Sequence, residues 1–141
     1  MECIAYKGGY KYQLKEDYVT ETRITPPTPI QTEYIALTSQ GRISIKRGYA
    51  WDGPSGPTID TLNFMRGSIV HDALYQLIRE GHLEEGKYRE PADRLLQKMC
   101  IEDGMSKLRA WWVYKGVRLG GGPAVDPAHD KPLTWAPSKC R

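Results

Sequence analysis

The chain has 141 residues, 40% of them apolar, enough for one domain with a sizeable core. Its 20 basic and 17 acidic residues are interspersed and leave a net charge of +3, which is not the clustered Lys/Arg footprint of a nucleic-acid binder. Three cysteines, Cys3, Cys100 and Cys140, lack paired or CxxC spacing and so argue against a disulfide framework or zinc ribbon.

The first residues, MECIAYKGGYKYQ, are too polar for a signal peptide, and no run of about 18 apolar residues exists to span a membrane. A soluble protein made in a reducing compartment is expected. Residues 10–24 are rich in β-branched and aromatic side chains with partial alternation, which predicts strand. The TPPTP stretch at 25–29 breaks it, because proline donates nothing to a ladder. Residues 33–37 and 42–46 predict a hairpin about the turn Ser39, Gln40 and Gly41. Ile43 and Ile45 share one face of its second strand, and Arg42, Ser44 and Lys46 the other, as in a sheet wet on one side.

A loop dense in Gly, Pro and Asp follows at 50–61, and then the period changes. Ile69, Val70, Leu74, Leu77 and Ile78 have helical spacing, predicting a first helix over residues 62–80 capped near Gly81. A second helix is expected to begin at Pro91, carry Leu95, Leu96, Met99 and Cys100, and stop at Gly104. Cys100 is expected as a buried thiol. A third helix is expected after Ser106 as N-cap, with Trp111 and Trp112 packing in the core and at its rim. The tail lacks periodicity and reads as an irregular strap pinned by Trp135. The fold class is α+β: an N-terminal antiparallel sheet over residues 1–48, a loop and three-helix core over 49–120, and the strap over 121–141.

His71 and Tyr75 are four apart, so both lie on one face of the first helix. A short link makes the first two helices antiparallel neighbours, which brings Asp93 back beside His71. A carboxylate on one ring nitrogen fixes the tautomer and leaves the other nitrogen as a base, and Tyr75 is placed to donate to the same carboxylate. Asp72 points about 100° away, towards the Gly-Pro loop. Exposed loop carbonyls plus one carboxylate form a hard-oxygen site suited to Ca²⁺. The same His-Asp-Tyr network can instead simply stitch two helices together, since buried polar groups need partners. Asp52 can equally cap a turn. A two-metal HD-type phosphohydrolase lacks its ligands here, because no histidine precedes His71, and no HExxH is present.

The residues Trp51-Asp52-Gly53-Pro54-Ser55, then His71-Asp72-Ala73-Leu74-Tyr75, then Ala92-Asp93 resemble the secreted-type phospholipase A2 superfamily, which has a glycine-rich calcium loop, an HDxxY helix and an aspartate on the antiparallel helix. The likeness covers roughly residues 49–103 and is closest to the compact phospholipase domain of parvovirus capsids. It implies that His71 activates water for attack on an ester carbonyl. It implies that Asp93 and Tyr75 orient His71, and that Asp72 binds Ca²⁺ with the carbonyls of Trp51, Gly53 and Ser55. Ser55 stands where that family has glycine. The whole chain also resembles a family of small phage and prophage proteins, domain of unknown function 1353, which shares the WDGPS, HDALY and AD plan and a β-rich N-terminus. That likeness implies a phage protein made in the bacterial host cytoplasm and incorporated in the virion. Two functions are expected as rivals. One is a calcium-dependent phospholipase A2-like hydrolase whose substrate is a phospholipid or another acyl ester. The other is a non-catalytic component on the same scaffold, whose partners are phage virion or tail proteins or a host target.

Overall fold

The computed structural model describes residues 4–6, 12–51, 62–120 and 134–136. Among them the order is β1 (Ile4–Tyr6), β2 (Tyr12–Gln13), β3 (Tyr18–Glu21), β4 (Ile30–Gln31), β5 (Ile35–Leu37), β6 (Arg42–Ile45), β7 (Ala50–Trp51), α1 (Leu62–Arg79), α2 (Glu85–Glu102), α3 (Lys107–Gly120) and β8 (Thr134–Ala136). Among the described residues all strands but β8 precede the helices, giving an α+β fold with an antiparallel β region at the N-terminal side.

The main sheet runs β3-β6-β5-β4 with every pairing antiparallel. The β5–β6 hairpin closes where the Gly41 N–H donates to the Thr38 carbonyl at 3.0 Å and the Arg42 N–H to Thr38 Oγ1 at 3.0 Å. Alternation then sends Ile35, Leu37, Ile43 and Ile45 inward, all buried, while Arg42 stays exposed. These four belong to the same core cluster as Val70, Leu74 and Leu77, so the sheet and helices bury their apolar faces together. The stretch at 10–24 is not one strand but two, β2 and β3, separated by residues 14–17. The tail is not wholly irregular: β8 pairs antiparallel with β1, Trp135 opposite Ala5.

α1 ends in a glycine cap. Gly81 has φ +84°, and the N–H groups of Gly81 and His82 reach back to the carbonyls of Ile78 and Leu77. α1 and α2 are antiparallel, since Arg66 meets Asp103, His71 meets Asp93 and Arg89 meets Tyr75 in descending order. Gly67 lets them approach: a Cβ there would stand 3.0 Å from Leu96 Cδ1 and 3.4 Å from Cys100 Sγ. Cys100 is fully buried, and burial pushes its thiol up to about 11.

Two expectations about the helices need correction. α2 begins at Glu85, not at Pro91, so the proline lies inside the helix on its exposed side. The earlier turns are anchored regardless by buried Tyr88 and by the hydrogen bonds of Arg89. Trp111 and Trp112 are not core residues, being 40% and 62% exposed. The inward stripe of α3 is Ala110, Val113 and Tyr114 with Val117 partly buried, and the two tryptophans fall off that line. Ser106 does cap α3, its Oγ accepting from the Arg109 N–H at 3.2 Å.

Candidate functional site

Helical spacing puts His71 and Tyr75 one turn apart on the face of α1 that meets α2, with ring centroids 4.1 Å apart. From α2, Asp93 enters between them with no exposed surface. His71 Nε2 stands 2.6 Å from Asp93 Oδ1, and the Tyr75 hydroxyl donates to that same oxygen. The other oxygen, Oδ2, accepts from Arg118 Nη1 at 3.0 Å. One buried carboxylate on α2 therefore takes three donors from two other elements: two from α1 and one from the last turn of α3.

Charge decides how the protons sit. Burial pushes the Asp93 carboxyl up, but hydrogen bonds from His71 and Tyr75, the His71 charge and Arg118 outweigh it and hold the group below the ordinary carboxylate range. Burial likewise works against the charged form of His71, and the neighbouring carboxylates Asp72 and Asp93 overcome it, so the imidazole is raised above its usual value. Burial, then the hydrogen bond to Asp93, pushes the Tyr75 phenol upward, so it stays a donor. An ionised carboxylate only accepts, so Nε2 must carry the proton it shares with Asp93. In the neutral ring Nδ1 then holds the lone pair. Nδ1 lies towards Asp72, whose Oδ1 is 4.0 Å away, beyond direct hydrogen-bond reach.

Arg118 was not expected at the site, nor was Arg89. The Arg89 Nε donates to the Tyr75 hydroxyl at 3.4 Å, and its Nη2 donates to the carbonyls of Val117 and Arg118 at 3.2 and 2.9 Å. It thus ties the C-terminal end of α3, where carbonyls lack helical donors, to the residues around Asp93. Only one sequence signal pointed to such pairing: α3 contains no acidic residue, so its cations cannot pair within their own helix. Lys107, Arg109 and Lys115 share that signal, so it does not single out Arg118.

Of the four expected calcium ligands, Gly53 and Ser55 lie outside the described residues. Trp51 ends β7, and its indole N–H donates to Ser68 Oγ at 3.1 Å. Ser68 is one turn before Asp72 on the same side of α1, so the Trp51 indole lies against the helix face that carries Asp72. The Asp72 side chain is 36% exposed. A carboxylate is a donor compatible with a hard cation. Among the described residues no group of three or more His, Cys, Asp or Glu is placed to hold a metal.

The fold and this geometry define an α+β protein built around a buried carboxylate that holds a histidine, a tyrosine and an arginine. The model of the family described as "Protein of unknown function (DUF1353)" matches residues 29–117, and the chain belongs to that family. The match takes in β4 to α2, His71, Tyr75 and Asp93 among them, and ends one residue before Arg118. No curated protein and no solved structure matches the chain.

Proposed function

We propose that the protein is a phage-encoded, calcium-dependent ester hydrolase of phospholipase A2 type, acting on a phospholipid or another acyl ester through a His71–Asp93 dyad. The observation that carries the reading is the 2.6 Å pairing of His71 Nε2 with a buried, ionised Asp93, which leaves Nδ1 as the basic nitrogen. The phage assignment rests on the likeness to phage and prophage proteins.

In this reading Asp93 and Tyr75 hold the imidazole in one tautomer and one orientation. His71 Nδ1 takes a proton from water as the water oxygen attacks the ester carbonyl, and returns it to the leaving alcohol oxygen as the C–O bond breaks. The products are a carboxylic acid and an alcohol. Calcium held by Asp72 with the carbonyls of Trp51, Gly53 and Ser55 would supply positive charge for the developing oxyanion. Arg118 adds through Oδ2 to the hold of His71 and Tyr75 that keeps Asp93 ionised and so keeps the proton on Nε2.

A second reading is favoured by the burial of His71, which is 7% exposed. The same network then only fastens α1, α2 and α3 together, and the protein is a virion component or a host-directed module. Mixed phospholipid micelles separate the two. The hydrolase reading expects calcium-dependent fatty-acid release that His71→Gln abolishes and Asp93→Asn reduces less, with activity rising as pH passes through the His71 pKa. Wild-type protein releasing no fatty acid with Ca²⁺ at any pH from about 6 to 9, the range spanning histidine titration, would leave the fastening role in its place.

A further inference from the structure

α3 carries apolar side chains on two opposite faces. The inner face, Ala110, Val113 and Tyr114, is buried. On the outer face Leu108, Trp112 and Leu119 follow one line at i, i+4 and i+11, and they are 69%, 62% and 87% exposed. Trp111 lies beside them at 40% exposure, edge-on to Trp112 with centroids 5.1 Å apart, and Lys115, which stands on the same line between Trp112 and Leu119, holds its Nζ 5.5 Å from the Trp111 ring centroid. Lys107 and Arg109 stand on the two flanks, and no acidic residue occurs anywhere in α3.

A helix packed on a core normally turns its charged residues to water, and this one turns out leucines and tryptophans. No described helix is long and apolar enough to cross a membrane, so the feature is not a span. An apolar line with tryptophans, cations on its flanks and one lysine within it fits a helix lying flat in a lipid headgroup layer, because the lysine stem lies along the apolar groups while its ammonium reaches the headgroups. The aliphatic and indole groups enter the acyl boundary, and the cations meet anionic headgroups. A nucleic acid would take the cations but give Leu108 and Leu119 nothing to contact. A second copy meeting this one face to face would bring like charges together.

We infer that the outer face of α3 docks the protein on an anionic phospholipid surface. The inference deepens the hydrolase reading and rests on that reading for the purpose of docking, while the surface itself stands on α3 alone. The full chain, in chelator, is mixed with vesicles of diether phosphatidylglycerol or diether phosphatidylcholine, whose ether links no esterase can cut. Pelleting with the phosphatidylglycerol vesicles is expected, weakened at high salt. Binding should fall roughly tenfold or more in a Leu108→Ser, Trp112→Ser, Leu119→Ser variant whose circular dichroism matches wild type. No pelleting, or pelleting that the variant retains, overturns the inference. So does a dimer in sedimentation that the same replacements abolish, which would give the face to a second copy. Calcium-dependent hydrolysis of a monomeric short-chain phosphatidylglycerol reads the His71 site separately. If that fails while vesicle binding stands, only the hydrolase reading falls. If vesicle binding fails while hydrolysis stands, only the docking surface falls.

Discussion

Glu90 and Asp93 stand three residues apart on α2, and each gathers a tyrosine and an arginine. Glu90 Oε1 accepts from the Tyr114 hydroxyl at 2.9 Å and from Arg94 Nε at 2.7 Å. Asp93 accepts from the Tyr75 hydroxyl, from Arg118 and from His71. Both carboxyls are held below their ordinary range, Glu90 chiefly by the Arg94 hydrogen bond and Asp93 against a burial penalty. What separates them is water. The Glu90 and Arg94 side chains are 43% and 60% exposed, whereas Asp93 is at 0%. At Glu90 solvent can replace any lost donor, so the pairing adds little. At Asp93 nothing replaces one, so each partner becomes obligatory. A roster of hydrogen bonds does not rank two carboxylates; their access to solvent does.

The largest effect should come from Asp93→Ala, which strands His71, Tyr75 and Arg118 around a dry gap. We expect a loss of about 3–5 kcal/mol in urea unfolding of metal-free protein. A loss as small as that at Glu90 would mean that water reaches the cluster. The pH dependence sharpens the contrast. The lowered Asp93 pKa gives a contribution that is complete above about 3.9 and is lost as pH falls through the folded value. The raised His71 pKa gives one that is complete below about 6.5 and is lost as pH rises through the folded value. The gap between wild type and Asp93→Ala should therefore be widest between about 4 and 6.5 and narrow on both sides.

Arg118→Met comes next. It keeps much of the stem and removes the donor to Oδ2, for an expected loss of about 1–2 kcal/mol, the usual value of a charged hydrogen bond reduced for partial exposure. An unchanged urea midpoint would show that Arg118 is a bystander. Smallest is Glu90→Gln, where thermal and urea midpoints should match wild type; a clear loss there would erase the distinction between the two carboxylates.

The HDxxY spacing is enough to set His71 and Tyr75 on one helix face, and the short link after α1 is enough to return Asp93 to them. Both facts are local, and local periodicity encodes them. Arg118 and Arg89 are invisible by the same means, because their roles depend on where a third helix lands, and no spacing within α3 records that. Trp111 and Trp112 mislead for a related reason. α3 has two apolar faces, and hydrophobicity alone does not tell which one meets the core. Pro91 misleads because proline favours a first turn, while here the anchoring of Tyr88 and Arg89 extends the helix past it. The expected calcium ligands Gly53 and Ser55 fall outside the described residues.

Pro91 also divides α2 energetically. It has no N–H, so the Lys87 carbonyl lacks the donor a continuous helix would supply, and the ladder is interrupted between the first turns and the rest. Arg89 lies on the N-terminal side of that notch and Asp93 on the C-terminal side. The first turns are therefore expected to open first, releasing the hold on Tyr75 and on the end of α3 before the carboxylate itself is uncovered. The expected breaking order has the clamp on α3 yielding first and the buried charge last, and faster amide exchange before Pro91 than after it along residues 85–102 would show it.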